Sequence, residues 1–112
     1  MYMMLSSRLD LCYPVGYMGR FQQNPSEVHW QSLKRIVRYL KGTKTKELVF
    51  NRNCNSRAIV GYADADWGSD INDRKSLSCF VIQVYGSTIS WSSKKQATVA
   101  TSSSEAEYIV LQ

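Results

Sequence analysis

An apolar run that feeds straight into paired carboxylates limits this chain's possible folds more than any other feature. Ala58-Ile59-Val60-Gly61 reads as a buried strand and leads to Tyr62-Ala63-Asp64-Ala65-Asp66-Trp67-Gly68. Two acids one residue apart at the end of a rigid element repel each other unless a cation neutralises them or one takes a proton. Such hard oxygen donors suit Mg²⁺ or Mn²⁺ better than zinc. A calcium loop starting at Asp64 fails on spacing, because its sixth position is Ser69 and its twelfth is Lys75.

The segments that follow supply a sheet around that strand. Ser76 to Tyr85 carries apolar residues on both faces, which predicts a central strand. Gly86-Ser87 fits a two-residue type II′ turn, and Thr88 to Ser93 returns with Ile89 and Trp91 on one face. Glu47 to Asn51, with Leu48 and Phe50 on one side, reads as a short strand, and Asn51 to Ser56 as a turn. Three adjacent antiparallel strands result, with room for a fourth at Leu48. Asp70 and Asp73 sit among Asn, Ser and Gly and read as turn residues.

A last helix is announced by Ser102-x-x-Glu105, the pattern of a capping box, and Ala106, Ile109 and Val110 begin its apolar face. Packed across the sheet, it can bring Glu107 to the end of the first long strand, near Asp64. Strand and helix carboxylates could then share divalent cations, and two metals about 4 Å apart can activate water against a phosphodiester. Such a centre needs three or four carboxylates. The chain stops two turns into this helix without a C-cap, which reads as a truncation.

The first half is helical and basic. Met1 to Gln23 reads as a helix to about Leu11 and a second piece broken by Pro14 and Gly16, opening without cap or leader as though cut from a longer chain. Asn24-Pro25-Ser26 then starts a helix, with Ser26 as N-cap and Glu27 in the first turn. Trp30, Leu33, Val37 and Leu40 recur at helical spacing and predict a buried stripe. Lys34, Arg38 and Lys41 line another face with Arg35 nearby, and Gly42 ends the helix. His29 reads as a capping or packing residue. Residues 1–50 carry eight Lys/Arg against three acids and so hold the whole formal excess of +5. A basic segment beside an acidic pocket suits a polyanion held on one surface and processed at another, although a solvated face explains the same charges.

Other chemistries find little support. With one histidine, itself read as a capping or packing residue, no Ser/His/Asp set is credible, and no Gly-rich phosphate loop is present. No apolar run is long enough to span a membrane, and Met1 to Leu5 lacks the basic start of a signal peptide. Cys12, Cys54 and Cys79 have no metal-type spacing and read as reduced thiols, which favours a cytosolic or nuclear setting.

A connecting run and four further motifs carry a resemblance to a known family. His29-Trp30, Leu33-Lys34-Arg35 and Arg38-Tyr39-Leu40-Lys41-Gly42-Thr43 resemble the connecting region after reverse transcriptase in copia-type LTR retrotransposon Pol polyproteins. Gly61 to Trp67, Asp73-Arg74-Lys75-Ser76, Ile89 to Gln96 and Ser102 to Tyr108 resemble the ribonuclease H domain of the same polyproteins. The similarity runs in order along essentially the whole chain.

The resemblance implies an α+β chain: a helical connection-like segment over residues 1–46, then a truncated RNase H-like domain over 47–112. The latter would be a three-stranded antiparallel sheet plus its first helix. The implied parent activity is metal-dependent cleavage of the RNA strand of RNA–DNA hybrids. Asp64 and Glu107 match the first two catalytic carboxylates and metal ligands, with Asp66 a further ligand. Lys94, Lys95, Gln96 and Ser102 would lie near the hybrid; Lys34, Arg35, Arg38 and Lys41 are nucleic-acid-binding candidates on their place along the basic helix rather than on the resemblance. Partners would be a hybrid or other nucleic acid and the rest of the Pol polyprotein, with no membrane. The setting would be a cytoplasmic virus-like particle or the nucleus, without secretion. Arg8-Leu9-Asp10 departs from the family's Arg-Pro-Asp, and Cys79 stands where Gly is common. The third and fourth catalytic acids fall beyond Gln112. The isolated chain is therefore expected to bind Mg²⁺ or Mn²⁺ weakly at best and to cleave little or nothing. The alternative is a non-catalytic nucleic-acid-binding remnant of a decayed or domesticated element.

Overall fold

The computed structural model describes residues 1–50 and 58–112 and resolves them into two compact units, Met1–Leu48 and Val49–Gln112. In the first unit, α1 (Tyr2–Ser6) gives way to a 3₁₀ turn (Leu9–Leu11), then α2 (Cys12–Gly19) and α3 (Glu27–Gly42). The helical break falls at Ser7 and Arg8, ahead of the predicted site, and α2 runs through Pro14 and Gly16. Pro14 is the third residue of α2, where its missing N–H is one of the first-turn groups that lack an intrahelical acceptor anyway.

Helix α3 starts at Ser26 as expected. Ser26 N–H donates to His29 Nδ1 at 3.0 Å, which puts the ring proton on Nε2. The same ring stacks on Phe21 with centroids 4.0 Å apart, so His29 both caps and packs. The predicted buried stripe is not buried: Trp30, Leu33 and Val37 are 53%, 42% and 58% exposed. Two short helices cannot cover a 16-residue face, and α2 reaches only part of it, with Val15, Met18 and Phe21 lining a groove beside Leu33 and Ile36.

The second unit is a meander of β1 (Ile59–Asp66), β2 (Leu77–Val84) and β3 (Ser87–Lys95), antiparallel in the order β1-β2-β3, with α4 (Ser103–Val110) packed on β1 and β2. β2 is central, as its two-faced apolar pattern predicts. β1 differs from expectation: within this sheet it is an edge strand, and Ile59 through Asp64 are exposed. Glu47 to Phe50 forms no strand, while Asn51 and the turn to Ser56 lie outside the described residues. The hairpin turn is Tyr85-Gly86, not Gly86-Ser87. Both residues have positive φ, 51° and 72°, which makes the turn type I′ and leaves Ser87 to pair with Val84.

Candidate metal and nucleic-acid site

Strand β1 sets the direction of its acids. Asp64 lies opposite Cys79, and Cys79 opposite Ser93; Ala65 lies opposite Ser78. Directly opposed residues share a face, and neighbours along a strand alternate. Gln96 identifies the face under α4: its amide Nε2 donates at 2.9 Å to both Ser78 Oγ and the Ala106 carbonyl. Ala65 and Ser78 therefore face the helix, and Asp64 and Asp66 project from the other side. Ala106 is fully buried, and Glu107, one residue on, is exposed. The elements carrying Asp64 and Glu107 touch, but the acids start from opposite sides of the strand.

The approach to α4 is built by local hydrogen bonds. Trp67 Nε1–H donates to the Ala100 carbonyl at 3.0 Å, tying the acidic turn to the loop before the helix. Ser102 Oγ accepts from Glu105 N–H at 3.2 Å, as an N-cap should. The expected return bond of a capping box is displaced. Glu105 Oε2 accepts from the Thr101 N–H and hydroxyl, each at 2.6 Å, and these donors hold its carboxyl below the usual range.

The six acids of this unit then fall into two groups. Glu105 serves the helix start. Asp70 and Asp73 accept from the Asn72 and Lys75 N–H groups, as turn residues do, and Lys95 Nζ bridges them at 2.6 and 2.7 Å. That ammonium lowers the Asp73 pKa, and the two carboxylates raise that of Lys95. Asp64, Asp66 and Glu107 make no hydrogen bond or ion pair with a described residue. Their oxygens suit a hard cation. They do not amount to a two-metal centre: among the described residues, no group of three or more His, Cys, Asp or Glu is placed to hold an ion.

The cations expected near a hybrid also divide. Lys94 is exposed, whereas Lys95 is committed to Asp70 and Asp73, and Gln96 is 6% exposed and spent on the sheet–helix latch. The resemblance implies that Gln96 lies near the hybrid, whereas its side chain is buried against α4. Burial follows from the two-residue alternation that puts Gln96 on the same face as Lys94 and Ser78, the face that α4 covers. In the first unit, Lys34, Arg35, Arg38 and Lys41 are all exposed along α3.

One cluster has no forerunner in the sequence reading. Arg8, 6% exposed, holds Asp10 in a two-pronged pair at 3.0 and 2.8 Å and also donates to the Thr43 carbonyl and hydroxyl at 3.1 and 2.7 Å. Tyr39 O–H donates to Asp10 at 2.7 Å, and Lys46 Nζ to the Tyr39 oxygen at 2.9 Å. This clasp ties the start of the unit to the end of α3. Its signals in the sequence are the opposite charges of Arg8 and Asp10, two residues apart, and their match to the outer residues of the family's Arg-Pro-Asp.

Comparison with known proteins shows two kinds of relative. The chain is 46% identical over 111 residues to the secreted RxLR effector protein 161 of Plasmopara viticola, covering 99% of this chain and 78% of that protein. It is 43% identical over 97% of its length to the retrovirus-related Pol polyprotein from transposon TNT 1-94 of Nicotiana tabacum, and 42% identical over 91% to that from transposon RE1 of Arabidopsis thaliana. Over nearly its whole length this chain is similar to segments of retrovirus-related Pol polyproteins. It spans 8% and 7% of those two polyproteins, in contrast to most of the effector. No protein-family model and no solved structure matches it. No helix among the described residues is long and apolar enough to cross a membrane.

Proposed function

We propose that this chain corresponds to the part of a retrotransposon Pol polyprotein that links reverse transcriptase to ribonuclease H and supplies the latter's first two carboxylates, Asp64 and Glu107. The parent domain would cleave the RNA strand of RNA–DNA hybrids with Mg²⁺ or Mn²⁺ in the cytoplasm or nucleus. The observation that carries the reading is the division of labour among the acids. Asp70, Asp73 and Glu105 are consumed by turns and a helix cap, while Asp64, Asp66 and Glu107 are left open to solvent. A fold that leaves carboxylates unneutralised at a strand end gains nothing from them structurally.

Two measurements test this. The isolated chain should show no Asp64-dependent cleavage of a hybrid in Mn²⁺; turnover that Asp64→Asn abolishes would overturn the inactive-segment reading. Placed in a Pol polyprotein such as that of TNT 1-94 in exchange for its matching segment, the chain should support hybrid cleavage. Asp64→Asn or Glu107→Gln should reduce that cleavage at least 100-fold, on the scale of losing one metal-positioning or charge-stabilising group. Retained polymerase activity serves as the folding control, and undiminished cleavage by both variants would sink the assignment.

A second reading, a non-catalytic nucleic-acid-binding remnant, is favoured by α3. Its four cations are exposed, and none is ion-paired to a described residue. Binding through them would be strongly salt-dependent.

A further inference from the structure

The cations of α3 do not stand alone on their face. Trp30, Lys34, Arg38 and Lys41 recur at intervals of four, four and three residues, which at 3.6 residues per turn places them in one stripe. Trp30 heads the stripe, half of its surface open, with Lys34 Nζ 5.7 Å from its ring centroid. From Trp30 to Lys41 the stripe runs about 16 Å along the helix at 1.5 Å per residue. Arg35 lies off this line.

We infer that this stripe binds single-stranded nucleic acid, with Trp30 stacking on an unpaired base and Lys34, Arg38 and Lys41 tracking the phosphates. The inference rests on the nucleic-acid-binding reading of α3 and names its substrate class. An indole at the end of a cationic track is the arrangement that holds single strands without regard to sequence, since every base offers a π-face. A duplex buries those faces, and exposing one costs a few kcal/mol per step. Lys34 leaves the ring accessible while adding charge beside it. A second copy of the chain is a poor occupant of the stripe, because it would set three cations against three. The neighbouring Leu33 and Val37, both exposed, make an anionic lipid surface the competitor to be tested.

The test uses the full chain, with labelled oligothymidine, an abasic oligomer of equal length, a duplex of equal length and phosphatidylserine vesicles as probes. Oligothymidine should bind more tightly than the abasic oligomer or the duplex, with affinity falling as salt rises. Trp30→Leu should weaken oligothymidine binding about 5–150-fold, the range of one base–aromatic stack, with the salt slope unchanged. Trp30→Phe should restore part of the loss. Replacing Lys34, Arg38 and Lys41 with Gln should flatten the slope instead. Helical circular dichroism confirms that the variants fold. Equal binding of abasic and base-bearing oligomers, or no effect of Trp30→Leu, would overturn the stacking inference but leave α3 a phosphate binder. Absence of any salt-dependent binding would overturn both. Vesicles that displace oligothymidine and blue-shift the Trp30 emission would assign the stripe to lipid and refute the proposal.

Discussion

The side-chain amide of Gln96 donates to the backbone carbonyl of Ala106 at 2.9 Å, and this bond joins the end of β3 to the middle of α4. Because the same nitrogen also reaches Ser78 Oγ, one buried amide spans the central strand, the last strand and the helix. The helix is only eight residues long and would be marginal by itself, so its position depends on this latch and on the burial of Ala106.

Gln96→Ala should therefore destabilise the second unit by roughly 2 kcal/mol, since it takes a donor from a buried carbonyl and from a part-buried hydroxyl and leaves a small void. Urea unfolding followed by Trp67 and Trp91 fluorescence would report it. A change under 0.5 kcal/mol, within the usual range for surface substitutions, would show that the latch is dispensable.

The hairpin gives a paired prediction of opposite sign. Tyr85 has φ of 51°, a conformation that Asn adopts more readily than a bulky aromatic residue. Tyr85→Asn should stabilise the hairpin by about 0.5–1 kcal/mol, whereas Gly86→Ala, at φ of 72°, should cost about 1–2 kcal/mol. Thermal unfolding of the two variants side by side distinguishes this turn from a Gly86-Ser87 type II′ turn, in which Tyr85→Asn would gain nothing.

In the first unit, the Arg8 guanidinium, helped by the Tyr39 hydroxyl, holds the Asp10 carboxyl well below the usual carboxylate range despite partial burial. A depressed folded-state pKa adds stability that is present above the unfolded value, about 3.9, and is lost as pH falls through the folded value. Asp10→Asn should cost about 1–2 kcal/mol at neutral pH. The gap to wild type should shrink only below about pH 4, as the unfolded-state carboxyl takes up its proton. Equal gaps at neutral pH and near pH 2 would show that the Asp10 charge is not what the clasp uses.

Legibility followed the range of the interaction. The strand–hairpin–helix order, the Ser26 and Ser102 caps, the turn roles of Asp70 and Asp73 and the double role of His29 all rest on contacts within a few residues. The sequence declares such contacts directly. The exposure of β1 and of the α3 stripe was not legible, because an apolar pattern tells which face is oily but not whether anything covers it. Tyr85 was passed over because Gly86 advertised the turn more loudly than a strained tyrosine did. Gln96 and the Arg8 clasp needed coordinates: their partners Ala106 and Thr43 are backbone acceptors 10 and 35 residues away, and backbone acceptors have no sequence signature.

The division of the acids makes a prediction about stability that needs no nuclease assay. A carboxylate that the fold uses is missed when removed, and one held for a ligand is not. Asp70→Asn takes one of the two acceptors from Lys95, a part-buried ammonium, and should lower the unfolding midpoint of the second unit. Asp64→Asn and Glu107→Gln remove charges that no described residue engages, and should leave stability within about 0.5 kcal/mol of wild type or raise it slightly. Added Mg²⁺ sharpens the contrast. Any ion held by these acids binds the folded state alone, so it should raise the wild-type midpoint by more than that of Asp64→Asn or Glu107→Gln. Should Asp64→Asn destabilise as much as Asp70→Asn, the acid at the end of β1 would be a structural residue, and the physical case for a metal ligand there would be gone.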